Sequence, residues 1–168
     1  MESDLHKKLK QKAVEYLLNK SYYISDTEIS CGYYGIYDAW GINSKHDTIG
    51  IECKVSKADF KNNRFKEARL DWGIEEVKFK NNGVVCDVLV QEAVSAVDIV
   101  PANQNYILCP AGLLFPSDIH PKYGLLWFNG ERLVNKKKPE TIPMTDKKKV
   151  GILIGILTKN YYKKIAEL

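Results

Sequence analysis

The residues in this 168-residue chain best suited to chemistry are Asp38 and, after an interval of thirteen residues, Glu52-Cys53-Lys54. Two carboxylates and an ammonium can hold a hard cation and act on a phosphate. Thr48 to Val55 reads as a strand, so Glu52 and Lys54 leave it on one face, while Ile49, Ile51, Cys53 and Val55 share the other. Burying such charges without partners costs on the order of several kcal/mol each, so they need a site that uses or compensates them.

Asp38 belongs to the preceding strand, Ile36 to Ile42, and Asn43 to Asp47 forms a polar hairpin connection. Pairing Ile42 with Thr48 places Asp38 directly opposite Glu52. Two carboxylates across a ladder repel each other, and the arrangement becomes favourable with a cation between them. Hard divalent ions such as Mg²⁺ or Mn²⁺ take a few carboxylate oxygens together with water and phosphate. The spacing therefore predicts a metal site. The bland alternative is an acid–lysine ion pair on an exposed strand face.

The elements that must position these groups follow from periodicity. Leu5, Leu9, Ala13, Tyr16 and Leu17 recur at three- and four-residue steps, predicting a helix over Leu5 to Asn19. Ser3 or Asp4 caps it, and Lys7, Lys8, Lys10 and Lys12 face away from the core. Ser21 to Ser30 is strand-like, and Cys31 to Gly35 is a turn or an irregular strand edge. A helix begins near Lys57, capped by Ser56. Tyr106 to Cys109 is a buried strand ended by Pro110, and Gly124 to Gly130 is another, turning at Asn129-Gly130. The order of elements predicts one domain over 1–168 of the α/β (α+β) class, with a mixed sheet flanked by helices. Consecutive early strands without crossover helices argue against a doubly wound sheet. Residues 70–104 read as an insertion, 135–149 as a basic linker and 149–168 as a C-terminal helix. That helix carries Ile152, Leu153, Ile156, Leu157 and Tyr161. Packing on its own core is the expected role, with docking of a partner or a second copy (a homodimer) as the alternative.

Composition excludes several classes. With 45% hydrophobic and 27% charged residues the chain has the make-up of a globular domain. Its longest apolar stretch, Val150 to Leu157, is too short to span a bilayer. No signal region follows the charged N-terminus, so a soluble, cytoplasmic protein with no membrane partner is expected. The net charge is only +4, but Lys54, Lys57, Lys61, Arg64, Lys66 and Arg69 cluster closely, and 136–138 and 147–149 are lysine triplets. Lys57, Lys61 and Arg64 share a helical face that can follow a phosphate backbone. Cys31, Cys53, Cys86 and Cys109 lack metal-ligand spacing and read as buried thiols. His6, His46 and His120 read as surface residues. Phosphate-loop, dinucleotide and nucleophile-elbow motifs are absent.

Gly35-Ile-Tyr-Asp38 followed by Glu52-Cys-Lys54 resembles the signature of the PD-(D/E)XK nuclease superfamily. More narrowly, Ile51-Glu-Cys-Lys-Val-Ser-Lys-Ala-Asp-Phe60 is similar to the MmcB-like DNA repair family, as are Asn105 to Pro110 and Gly124 to Trp127. Tyr37 stands where the superfamily usually has proline. The resemblance implies a restriction-endonuclease-like αβββαβ core. It also implies that Asp38 and Glu52 ligate Mg²⁺ or Mn²⁺, with the Cys53 carbonyl as a third ligand. Lys54 would then orient the attacking water or stabilise charge on the phosphate. Glu28, near the end of the first strand, is a further candidate at the metal's edge, with a surface glutamate as the alternative. Glu15 is a weaker one, because it sits among lysines on the helix surface. The expectation is a metal-dependent DNA endonuclease serving repair, recombination or processing. The alternatives are a catalytically silent nucleic-acid-binding module of the same fold, or a resolvase specific for branched DNA.

Overall fold

The computed structural model describes residues 2–31, 36–61 and 102–166, together with the backbone of 77–81 and 84–88. The chain runs α1 (Asp4–Asn19), β1 (Ile24–Ser30), β2 (Ile36–Ile42), β3 (Thr48–Cys53) and α2 (Lys57–Lys61). There follow β4 (Val77–Asn81), β5 (Val84–Val88), β6 (Gln104–Pro110), β7 (Tyr123–Phe128), β8 (Leu133–Lys137) and α3 (Asp146–Ala166). Six strands form a mixed sheet in the order β1-β2-β3-β6-β7-β8. Its β3, β6 and β7 are parallel, and the flanking pairs are antiparallel. Strands β4 and β5 make a separate antiparallel pair.

The sheet separates two apolar layers. On one face α1 presents Leu9, Ala13 and Leu17 to Ala39, Ile49, Ile51, Cys53 and Leu108. On the other, Ile152 and Ile156 of α3 meet Trp40, Ile42, Ile107, Cys109 and Leu125. The alternation that the sequence predicts for β3 therefore holds. Ser3 caps α1 by accepting the His6 N–H. The polar hairpin closes through Asn43, whose side chain accepts the N–H groups of Lys45 and Asp47. Ser56 accepts the Asp59 N–H at the start of α2, as the cap assignment requires.

Tyr37 lies over Gly50, where a Cβ would come within 2.5 Å of its ring, and its hydroxyl donates to Asn105 at 2.8 Å. A side chain at position 50 would thus expel the ring that covers the middle of the sheet.

Three expectations need correction. Residues 135–137 are not linker: they belong to β8, which pairs with β7 and closes the sheet edge. Residues 104 and 105 open β6, so an insertion cannot run to 104. Helix α3 starts at Asp146, three residues early. Its Ile152 and Ile156 are buried, whereas Leu157 and Tyr161 are exposed, so the face is only partly used by the core. Residues 32–35 of the predicted turn lie outside the described residues. Among the described residues, no helix is long and apolar enough to cross a membrane.

Candidate functional site

At the carboxyl end of β3, where its pairing with β2 ends, Asp38 meets the Cys53 peptide, while Glu52 and Lys54 pair with each other. The β2–β3 ladder has the predicted register, Ile42 with Thr48 through Ala39 with Ile51, and pairing ends there. The next N–H of β3 on that side belongs to Cys53 and has no strand carbonyl to meet. The Asp38 carboxylate accepts it instead, at 2.7 Å.

The expectation that Asp38 and Glu52 face each other across a ladder is corrected. In both β1 and β2 the alternation breaks at one point. Tyr37 and Ile29 pack on the α3 layer, although Ala39, two residues from Tyr37, packs on the α1 layer. The residues at the break are Glu28 and Asp38, which the β1–β2 pairing skips. Glu28 has φ of 53°, a left-handed conformation unusual for a residue with a side chain. This local turn of both strands directs Asp38 towards α1. Glu52 pairs with Ile107, which belongs to the α3 layer, so it leaves β3 on the face away from α1.

The carboxylates that gather at Asp38 are Glu2 and Glu28, and the protein supplies their cation itself. The Lys10 ammonium lies 3.4 Å from Asp38 Oδ1 and 2.6 Å from Glu2 Oε1, and it also bonds Glu28. His6 Nε2 is 3.4 Å from the same Asp38 oxygen, and His6 Nδ1 is 3.3 Å from Glu2. Burial acts to lower the Lys10 pKa, but its hydrogen bonds to Glu2 and Glu28 and the Asp38 charge outweigh this and hold it above the ordinary lysine value. The hydrogen bond from Lys10 in turn holds Glu2 below the usual carboxylate value. Helix periodicity assigned Lys10 to the surface, and the lack of metal-ligand spacing did the same for His6, yet Lys10 is buried and His6 lines the site. The signal that could have found them is His6 and Lys10 one turn apart on α1, with Glu2 four residues before His6, just ahead of the Ser3 cap.

Glu52 is only 2% exposed and Lys54 8%. Their charged groups lie 3.7 Å apart, and Lys54 is also 3.8 Å from Asp59 at the start of α2. The Lys54 N–H donates to the Leu108 carbonyl, tying the strand end to β6. The pair sits at the carboxyl end of parallel strands, the usual location of ligand sites in α/β sheets.

Of the remaining candidates, Glu28 joins the Lys10 cluster. Glu15 instead pairs with Lys12 at 2.6 Å. Lys57 and Lys61 are exposed one turn apart on α2, and Arg64 lies outside the described residues.

Carboxylate oxygens are the donors a hard divalent ion such as Mg²⁺ takes, but those at Asp38 already hold the Lys10 ammonium. His6, Asp38 and Cys53 also lie within 4.8 Å of one another. Burial, reinforced by the Asp38 and Glu52 charges, pushes the Cys53 thiol well up. A soft ion needs the thiolate, so that trio is a poor fit for zinc. Cys31, Cys53 and Cys109 are buried free thiols, as predicted.

No family model and no curated protein matches the chain. A solved structure, the SPO1766 protein of unknown function from Silicibacter pomeroyi, superposes with a TM-score of 0.67 at 15% identity, covering 99% of this chain and 92% of that one. At that identity the likeness establishes the fold alone: a mixed six-stranded sheet flanked by helices, shared by the two chains.

Proposed function

We propose that this chain is a metal-dependent DNA endonuclease that hydrolyses phosphodiester bonds within a restriction-endonuclease-like fold, with DNA repair, recombination or processing as its setting. The observation that carries the reading is the buried Glu52–Lys54 pair, 3.7 Å apart at the carboxyl end of β3, beside an Asp38 anchored to the very next peptide. A structural core rarely spends an acid and a base this deeply, because hydrophobic residues of similar volume serve stability as well or better.

Asp38 and Glu52 are the residues that would hold Mg²⁺ or Mn²⁺, which requires the Asp38 carboxylate to turn from Lys10 and His6 towards the face that Glu52 occupies. When bound, the ion supplies Lewis acidity at a phosphoryl oxygen and a more acidic water. Lys54 contributes a fixed positive charge where negative charge develops on the phosphate, and it orients the attacking water. Asp59 and Glu52 hold that ammonium in place between them. Lys57 and Lys61 offer exposed ammonium groups to the phosphate backbone of DNA.

The test is direct. Purified protein with Mg²⁺ or Mn²⁺ nicks labelled DNA, and Asp38→Ala or Glu52→Ala abolishes the product. Cleavage that survives both substitutions, or that persists in chelator, removes this chemistry.

A specific observation favours a second reading, a DNA-binding module without turnover: the Lys10 ammonium already neutralises Asp38. Salt-dependent DNA binding with no cleavage in either metal selects that reading. A branched-DNA resolvase is separated from both by a panel of single-stranded, duplex, flap and four-way substrates.

A further inference from the structure

The lysine triplet 136–138 plays no part in the site described above, yet the fold brings its first member to the same edge of the sheet. Cys109 of β6 pairs with Trp127 of β7, and Cys53 pairs with Leu108, so Lys54, Cys109 and Trp127 follow one another along a row across the parallel strands. Cys109 belongs to the α3 layer and Trp127 packs against it, which puts Lys54 and Trp127 on the same face. Two strand spacings separate them, about 10 Å. That is about three stacked nucleotides at 3.4 Å of rise each.

Around Trp127 the side chains are arranged as a platform. Its indole N–H donates to the Leu114 carbonyl at 2.7 Å, fixing the ring. Lys136 is exposed and holds its ammonium 4.6 Å from the ring centroid. Phe115 meets the indole edge-on at 5.6 Å and 79°. Phe115 remains 48% exposed, and its backbone is locked by Asp118, whose carboxylate accepts the Phe115 N–H while its own N–H donates to the Phe115 carbonyl. A preorganised, exposed aromatic beside a cation is the combination that stacks a base while holding its phosphate. Bases inside a duplex have no free face to offer, so such a platform selects unpaired ones.

Resting on the reading that this edge binds DNA, we propose that Phe115, Trp127 and Lys136 form a stacking platform for unpaired bases. The preferred DNA is then single-stranded or frayed rather than continuous duplex.

The test is fluorescence anisotropy in chelator, so that no cleavage intervenes. The probes are an oligothymidine, an abasic strand of the same length and a duplex. Wild type binds the oligothymidine about ten-fold or more tighter than the abasic strand. Phe115→Ala removes most of that difference and leaves binding of the abasic strand and the duplex unchanged. Trp127→Phe, which loses the bond to Leu114 while keeping a ring, gives a smaller loss, and melting curves confirm that both variants fold. Equal affinity for base-bearing and abasic strands overturns the platform, as does an equal loss on all three probes or no binding at all. The two readings fail separately. Cleavage in Mg²⁺ without base-dependent binding removes the platform alone, whereas base-dependent binding without cleavage removes the nuclease and leaves the platform standing.

Discussion

The carboxylate of Asp38 accepts the backbone N–H of Cys53 at 2.7 Å, two residues beyond Ile51, the last residue of β3 paired with β2. A side chain thus replaces a strand where β2 turns away, which fixes a carboxylate at the strand end without a further backbone pair. Asp38 has two tasks: Oδ2 closes the ladder and Oδ1 faces Lys10 and His6.

Those two tasks can be separated by substitution. Asp38→Ala leaves the Cys53 N–H unsatisfied and costs about 1–3 kcal/mol in urea denaturation. Asp38→Asn keeps an acceptor for that N–H and costs less, yet it loses the charge that a metal needs. On the proposed nuclease reading, both variants lose cleavage. Equal stability losses in the two would show that the bond to Cys53 contributes little.

Lys54→Met removes the ammonium beside the almost fully buried Glu52 carboxylate, at a cost of about 3–5 kcal/mol. Adding Glu52→Gln to the same protein recovers a substantial part of that loss, because no charge is left without its partner. A double-mutant cycle by chemical denaturation measures this directly, and strictly additive losses would contradict the pairing.

Lys10→Met removes the ammonium shared by Glu2, Glu28 and Asp38 and leaves three carboxylates together. In chelator its melting midpoint falls by about 4 °C or more, and Mg²⁺ or Mn²⁺ restores more of that loss than it adds to wild type. A variant whose deficit is the same with and without divalent ions would show that the lysine does not stand where a metal can bind.

The pH dependence has two limbs of known sign. The Glu2 pKa is depressed from 4.5, so its contribution is present above that value and is lost as the pH falls below it. The Lys10 pKa is raised from 10.5, so its contribution is complete below that value and is lost as the pH rises through the folded-state pKa. Burial also raises the pKa values of Tyr16, Tyr22 and Tyr106 above 10.0, which adds to the alkaline limb with the same sign. Melting midpoints therefore form a plateau bounded by an acid and an alkaline fall. Tyr16→Phe, which removes one of the buried hydroxyls, makes the alkaline fall shallower.

Gly50→Ala drives a methyl into the Tyr37 ring and costs about 1–3 kcal/mol. Much of the cost reflects displacement of the Tyr37 hydroxyl from Asn105. Tyr37→Leu in the same chain relieves the clash, so the double variant is more stable than the two single losses added together.

The local elements were legible in the order of residue types along the chain. The span of β2, the Asn43–Asp47 hairpin, the β2–β3 register and the caps at Ser3 and Ser56 all follow from turn chemistry and apolar period, which act over a few residues. That Glu52 and Lys54 share one face of β3 was legible in the same way, but their near-complete burial was not, because an exposed strand face fits the same alternation. The meeting of Glu2, His6 and Lys10 around Asp38 was not legible there, because it depends on how α1 seats against a distant strand. The turn of β1 and β2 at Glu28 and Asp38 was equally hidden, being a φ choice that residue type does not announce. Periodicity places a lysine on the polar side of a helix. The carboxylates packed beside it decide whether that side meets water.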